Sequence, residues 1–172
     1  MSLLMPTYFT KHVSDINPEI LQKLNINGII LDIDDTLAPH KCSIPDKEAL
    51  KWVNSLRKNN ISLILVSNNF KNRVSEFAKK LNLPYIYMGL KPLSYGVKKA
   101  IRHLNLPKKE IILVGDQIFT DIIGENFLKL KSILVDPIGG KKTTLLKIKR
   151  FFEKSIREKI KSNKKLNLNS II

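Results

Sequence analysis

The stretch Ile29-Ile30-Leu31-Asp32-Ile33-Asp34-Asp35-Thr36-Leu37 is an apolar, β-branched run that ends abruptly in acids and a threonine. Continuous hydrophobicity without alternation marks a strand buried on both faces, as in the middle of a parallel sheet. Its acidic end must then emerge at the sheet's edge, where water and ligands arrive. Carboxylates crowded at such a tip repel one another and are costly to bury, a cost that a divalent cation relieves.

Toward the N-terminus, Asn17-Pro18-Glu19 has the form of a helix start: a capping residue, a proline at the first helical position, and an acid at the positive end of the helix dipole. Residues 1–16 show no clear period and read as a surface arm. Toward the C-terminus, residues 46–59 space Ala49, Leu50, Val53 and Leu56 for one helical face. Apolar runs at 61–66, 85–88, 111–114 and 132–135 read as further strands. Between them, Val74, Phe77, Ala78 and Leu81, and then Val97, Ala100, Ile101 and Leu104, recur at helical spacing. Strands alternating with helices imply right-handed crossovers, hence an α/β fold with a mostly parallel, five-stranded sheet and helices on both faces.

Ligands of such sheets bind beyond the carboxyl ends of the strands. Those ends carry Asp32 and Asp34, then Ser67 and Asn68, then Lys91, then Gly115 and Asp116. Each has a structural alternative as a cap, a turn or a solvated lysine, but together they place complementary chemistry on one edge. Acids, a hydroxyl and an ammonium suit phosphoryl transfer through an aspartyl-phosphate. Magnesium takes oxygen ligands in near-octahedral array, which Asp32, the Asp34 carbonyl and Asp116 can offer. Asp32 is the expected nucleophile. Asp34 is the expected general acid and base, with its acidic neighbours favouring the protonated form. Ser67 and the Asn68 backbone N–H would hold phosphoryl oxygens, and Lys91 would offset the charge of the transition state.

Asp32-Ile33-Asp34-Asp35-Thr36-Leu37, Ser67-Asn68, Lys91-Pro92 and Gly115-Asp116-Gln117-Ile118-Phe119-Thr120-Asp121 resemble, in order, the motifs of the haloacid dehalogenase (HAD) superfamily phosphatases. Within it the chain is similar to subfamily IIIA and to the YqeG-like family, whose mitochondrial relatives dephosphorylate phosphatidylglycerophosphate. The resemblance spans residues 5–152 and implies a HAD-like Rossmannoid fold with Mg²⁺ as cofactor. It assigns supporting roles to Thr36, Gly115 and Asp121. Asp35 departs from the Asn usual in that group, at a position without a catalytic role.

Spacing leaves no room for an inserted cap domain between residues 36 and 67 or between 68 and 91. An uncapped site encloses a small metabolite poorly, so the expected substrate is a phosphate on something large, with a lipid phosphate such as phosphatidylglycerophosphate favoured by the resemblance.

The chain has 172 residues, a formal net charge of +15 and 43% hydrophobic residues, which fits one globular domain; the charge either draws it to polyanions or reflects a chain rich in Lys, Asn and Ile throughout. The single cysteine, Cys42, excludes an intramolecular disulfide, and no run is long enough to span a bilayer. A cytoplasmic location is therefore expected. The domain is expected over residues 1–162, with 163–172 a flexible tail. Residues 141–162 form a basic segment in which Leu145, Ile148, Phe152 and Ile156 recur at helical spacing, with Lys147, Lys154 and Lys161 on other faces. Such a helix either packs on the sheet or lies peripherally on the anionic inner face of a membrane. The competing functions are a phosphatase of small molecules or nucleic-acid ends, and a non-catalytic module bound to RNA, ribosome or membrane. His40 and Cys42 carry no assigned role.

Overall fold

A computed structural model describes residues 3–139 and 144–171, without the side chains of residues 125 and 144–150. Its elements are β1 (Tyr8–Thr10), α1 (Pro18–Lys23), β2 (Gly28–Leu31), α2 (Lys47–Lys58), β3 (Ser62–Val66), α3 (Lys71–Leu81), β4 (Tyr85–Ile86), α4 (Tyr95–Leu104), β5 (Ile111–Gly115), α5 (Ile123–Leu128), β6 (Lys131–Val135) and α6 (Thr144–Ser162). The helix start at Asn17 is as expected: its side-chain oxygen accepts from the Ile20 N–H at 2.8 Å, with Pro18 leading α1. Asp46 caps α2 in the same way, accepting from the Glu48 and Ala49 N–H groups. On α2 the core face takes Trp52 rather than Leu50, which is exposed; the Trp52 indole donates to the Ile16 carbonyl at 2.7 Å.

All strand pairs are parallel, in the order β1-β6-β5-β2-β3-β4. The sheet thus has six strands rather than five. The additional one lies in the segment expected to be a surface arm, where Tyr8, Phe9 and Thr10 pair with Ile133, Leu134 and Val135. Three residues at an edge are too few for a period to register. β3 and β4 lie to one side of β2, whereas β5 lies on the other, so the topological switch point falls between β2 and β5. Leu31 stands opposite Val114, and the Asp32 N–H donates to the Val114 carbonyl at 3.0 Å. Register alone therefore brings Asp32 and Asp116 to the same crevice.

Alternate residues of each strand feed the two faces. Ile29, Leu31, Leu65 and Val114 pack with α1, α2 and α3, whereas Ile30, Ile64, Val66 and Leu113 pack with α4. Leu134 meets Ile160 of α6 on that second face. The connections 32–46 and 67–70 hold no inserted cap domain. Among the described residues, no helix is long and apolar enough to cross a membrane.

Two expectations about the C-terminus need correction. Residues 164–171, expected to be flexible, form short 3-10 turns; Leu168 is fully buried and Asn167 bridges to Phe9, so the segment covers the outer edge strand. On α6 the expected apolar face is buried only in part, with Ile156 packed beside Ile160. Phe152 is 63% exposed while Glu153 is 0% exposed and Ile160 is buried, because the face turned to the protein is centred on a polar contact described below. The side chains of Leu145, Lys147 and Ile148, and all of residues 140–143, lie outside the described residues.

Candidate active site

The carboxyl ends of β2, β3 and β5 and the segment after β4 converge on a cavity of about 190 Å³. It is lined by Asp32, Asp34, Ser67, Asn68 and Lys91 from the expected set, and also by His40, Asn69, Gln117 and Thr120. Asp116, Asp121 and Thr36 lie fully buried. Thr36 Oγ1 donates to Asp116 Oδ1 at 3.5 Å.

Lys91 sits between two acids. Its ammonium donates to Asp32 Oδ1 and, at 2.7 Å, to Asp121 Oδ1. Burial alone would favour a neutral amine, but the Asp121 and Asp32 carboxylates outweigh it and hold the lysine pKa above its ordinary value. Burial pushes the Asp32 carboxyl well above the usual carboxylate range, the Lys91 ammonium opposes this, and Asp121, Asp116 and Asp34 add to the rise. The Lys91 backbone is fixed separately by Asn68, whose side chain accepts from the Lys91 N–H at 2.8 Å and donates to its carbonyl at 3.1 Å. Asn68 thus positions the lysine as well as lining the cavity.

Carboxylate oxygens of Asp32, Asp116 and Asp121 lie within 4.8 Å of one another. Three buried acids offering only oxygen donors fit a hard divalent cation, and their mutual repulsion supplies the reason to bind one. Asp121 therefore stands closer to the acidic cluster than a remote support. It is held by Lys91 and by the Gln117 N–H at 3.0 Å, in a π-type turn over Ile118–Ile122. Gly115 makes this possible, since a Cβ there would lie 2.6 Å from the Asp121 carboxyl group.

The Asp34 side chain lies apart from that cluster. Instead of acids, it meets donors: Arg73 at 2.5 Å, Asn69 at 2.5 Å and the Lys41 N–H at 2.9 Å, with the His40 ring nitrogen 3.6 Å away. The expected dominance of acidic neighbours is thus corrected: the groups within hydrogen-bond reach of the Asp34 carboxyl are donors. Asp35 occupies a left-handed turn, with φ of +60°, which Asn and Asp tolerate better than other side chains. Its carboxylate accepts from the His40 N–H at 3.0 Å, and its own N–H donates to the Ala38 carbonyl at 2.7 Å. Asp35 shapes the loop that aims Asp34 and His40. Ser67 Oγ accepts from the Asn69 N–H at 3.2 Å and from its side-chain amide at 2.9 Å, linking the hydroxyl to the Asp34 site.

Sequence reasoning missed Arg73, Asn69, Glu153 and Arg157, and it named His40 without giving it a role. Glu153 and Arg157 reach the site from α6. Glu153 Oε1 accepts from the Ile118 N–H at 2.8 Å and the Phe119 N–H at 3.3 Å, capping the turn that carries Asp121. Arg157 donates to the Asp116 carbonyl and pairs with Glu153 and Asp136 at 3.4 Å each. One signal was present in the sequence: Glu153 is one of only two acids in a segment, 141–165, that is otherwise rich in Lys and Arg.

The haloacid dehalogenase-like hydrolase family matches residues 38–124. The chain is 31% identical over 157 residues to the probable phosphatase YqeG of Bacillus subtilis (strain 168), covering 91% of each. It is 25% identical over 146 residues to phosphatidylglycerophosphate phosphatase 1, chloroplastic/mitochondrial, of Arabidopsis thaliana, covering 79% of this chain and 42% of that protein. The cobalt-bound deoxy-D-mannose-octulosonate 8-phosphate phosphatase of Haemophilus influenzae matches with a TM-score of 0.53 at 14% identity, over 66% of this chain and 71% of that one, a likeness of fold.

Proposed function

The chain belongs to the haloacid dehalogenase-like hydrolases and is a phosphatase of that family, and on that premise we propose a magnesium-dependent phosphomonoesterase whose substrate is a lipid phosphate such as phosphatidylglycerophosphate. The observation that carries the chemistry is Asp32, at the crevice between β2 and β5, paired with Lys91 and facing the cavity beside Ser67.

An oxygen of Asp32 attacks phosphorus, forming an acyl-phosphate bond as the bond to the leaving oxygen breaks. Asp34 gives the leaving oxygen its proton, then takes one from the water that attacks the aspartyl-phosphate, so inorganic phosphate departs and the Asp32 carboxylate returns. Lys91 balances the charge spreading over the phosphoryl oxygens, and Ser67 offers them a hydroxyl. Magnesium held by Asp32, Asp116 and the Asp34 carbonyl, with Asp121 beside them, would neutralise the acidic cluster and polarise the phosphoryl group.

Three features support a lipid phosphate. The cavity of about 190 Å³ is small beside a diacyl lipid, so the acyl part of such a substrate would lie outside it. No cap covers it. The Arabidopsis relative is named for phosphatidylglycerophosphate. The test is phosphate release from phosphatidylglycerophosphate in mixed micelles with Mg²⁺, set against sugar phosphates, nucleotides and 5′-phosphorylated RNA. Turnover of the lipid above the others is expected. Turnover confined to the soluble compounds would replace the lipid by a small-molecule or nucleic-acid-end substrate.

A further inference from the structure

Beside the cavity the surface turns apolar. Phe70, in the connection from β3 to α3, is 77% exposed, and Leu93, in the connection from β4 to α4, is 75% exposed. Met88, Leu90 and Tyr95 are exposed next to them in sequence. Single exposed apolar residues are ordinary, but a contiguous group marks an interaction site. Phe70, Met88, Leu90 and Leu93 line one groove with Asn68 and Lys91, so it shares a wall with the catalytic cavity.

The backbone holds these side chains out. Met88 and Leu90 have φ of +45° and +52°, a region costly for bulky residues. After α3 and α4 the left-handed positions go to Asn82 and Asn105, and after α5 to Lys129. The loop is pinned between them, since the Gly89 N–H donates to the Ser67 carbonyl at 2.9 Å and its carbonyl accepts from the Gly96 N–H at 2.8 Å. A Cβ on Gly96 would lie 2.6 Å from the Gly89 Cα, so helix and loop touch backbone to backbone.

Charge selects the partner. Lys71, Lys98, Lys99 and Arg102 are exposed on the flanking helices, and from residue 70 to residue 109 the only carboxylate is Glu76. The Lys99 ammonium lies 4.5 Å from the centre of the Tyr95 ring. Apolar tips ringed by cations suit an anionic bilayer, where side chains enter the acyl boundary and cations meet headgroups. Resting on the lipid-phosphate reading above, we infer that the rim of Phe70, Met88, Leu90, Leu93 and Tyr95 seats the active-site edge on an anionic lipid surface. A lipid phosphate then reaches Asp32 without leaving the bilayer.

The test is co-sedimentation with vesicles of phosphatidylcholine, with or without phosphatidylglycerol, for the wild type, for Phe70→Ser/Leu93→Ser, and for Phe151→Ser/Phe152→Ser on α6. Serine at 70 is a competent helix N-cap, so α3 is spared; unchanged turnover of a soluble aryl phosphate checks this. Expected is wild-type binding to the anionic vesicles only, a loss of about tenfold or more for the rim variant, and no loss for the α6 variant. Rim-variant binding equal to wild type, wild-type binding to neither vesicle, or loss in the α6 variant alone would each overturn the docking face. Phosphatidylglycerophosphate turnover in vesicles and in micelles separates the two proposals. Docking without turnover sinks the substrate and leaves the face standing; turnover in vesicles equal for wild type and rim variant sinks the face and leaves the substrate.

Discussion

Arg157 donates a hydrogen bond to the backbone carbonyl of Asp116, so the last long helix holds the end of the strand that carries a buried acid of the cluster. Groups that orient the residues around a metal matter nearly as much as the ligands themselves. Arg157→Ala is expected to raise the Mg²⁺ concentration for half-maximal activity by about 10–100-fold. Arg157→Lys is expected to recover only part of this, because an ammonium cannot reproduce the fork that meets Glu153, Asp136 and the carbonyl together. Magnesium titrations of aryl phosphate hydrolysis measure both; an unchanged titration for Arg157→Ala would make the contact merely structural.

That contact also shows what a sequence conceals. β2, β3 and β5 were legible as continuous apolar runs, and the acids, hydroxyl and lysine at the strand ends were legible because parallel topology dictates where strand ends meet. Arg73 and Arg157 were not, for among 30 Lys and Arg no spacing singles out these two. The face of α6 was misjudged at Phe152, which hydrophobic spacing favoured, while the burial of its neighbour Glu153 is set by the Ile118 and Phe119 N–H groups of a turn far away in sequence. β1 was hidden by its brevity, and the folded C-terminus by its lysines and asparagines.

Gly115 is required by close approach rather than by backbone conformation. Asp121 cannot retreat from a new Cβ without losing Lys91 or the Gln117 N–H. Gly115→Ala should cost about 1–3 kcal/mol of stability. A fall in kcat should accompany it, because Lys91 would be displaced from Asp32. Thermal melts and steady-state kinetics on one preparation test this, and an active variant of wild-type Tm would contradict it.

The acidic cluster also sets a sign for pH. Burial and the neighbouring acids raise the Asp32 pKa in the folded protein. The folded state therefore binds this proton more tightly than the unfolded chain. The resulting stability is fully present below the ordinary carboxylate pKa and is lost as pH rises through the folded value. A divalent cation replaces the proton, so its stabilisation should be small near about pH 4 and large near about pH 8. At a hundredfold excess over Kd the gain is about 2.7 kcal/mol, or about 5–10 °C in Tm for a domain of this size. Thermal melts with MgCl₂ or EDTA across that range check it; a shift that shrinks with rising pH would remove the cluster as the binding site.

The central proposal is a division of labour among three acids at one strand end, with Asp32 to attack, Asp34 to move protons and Asp35 to shape the turn. Asn at position 35 keeps both the left-handed conformation and an oxygen to accept from the His40 N–H, so Asp35→Asn is the matched control. Hydrolysis of an aryl phosphate with Mg²⁺ by Asp32→Asn and Asp35→Asn, purified in parallel, tests the claim most directly. Asp32→Asn is predicted to lose about 10⁴-fold or more in kcat, as when a nucleophile is removed, and Asp35→Asn to stay within about threefold. Substantial turnover by Asp32→Asn would contradict the account.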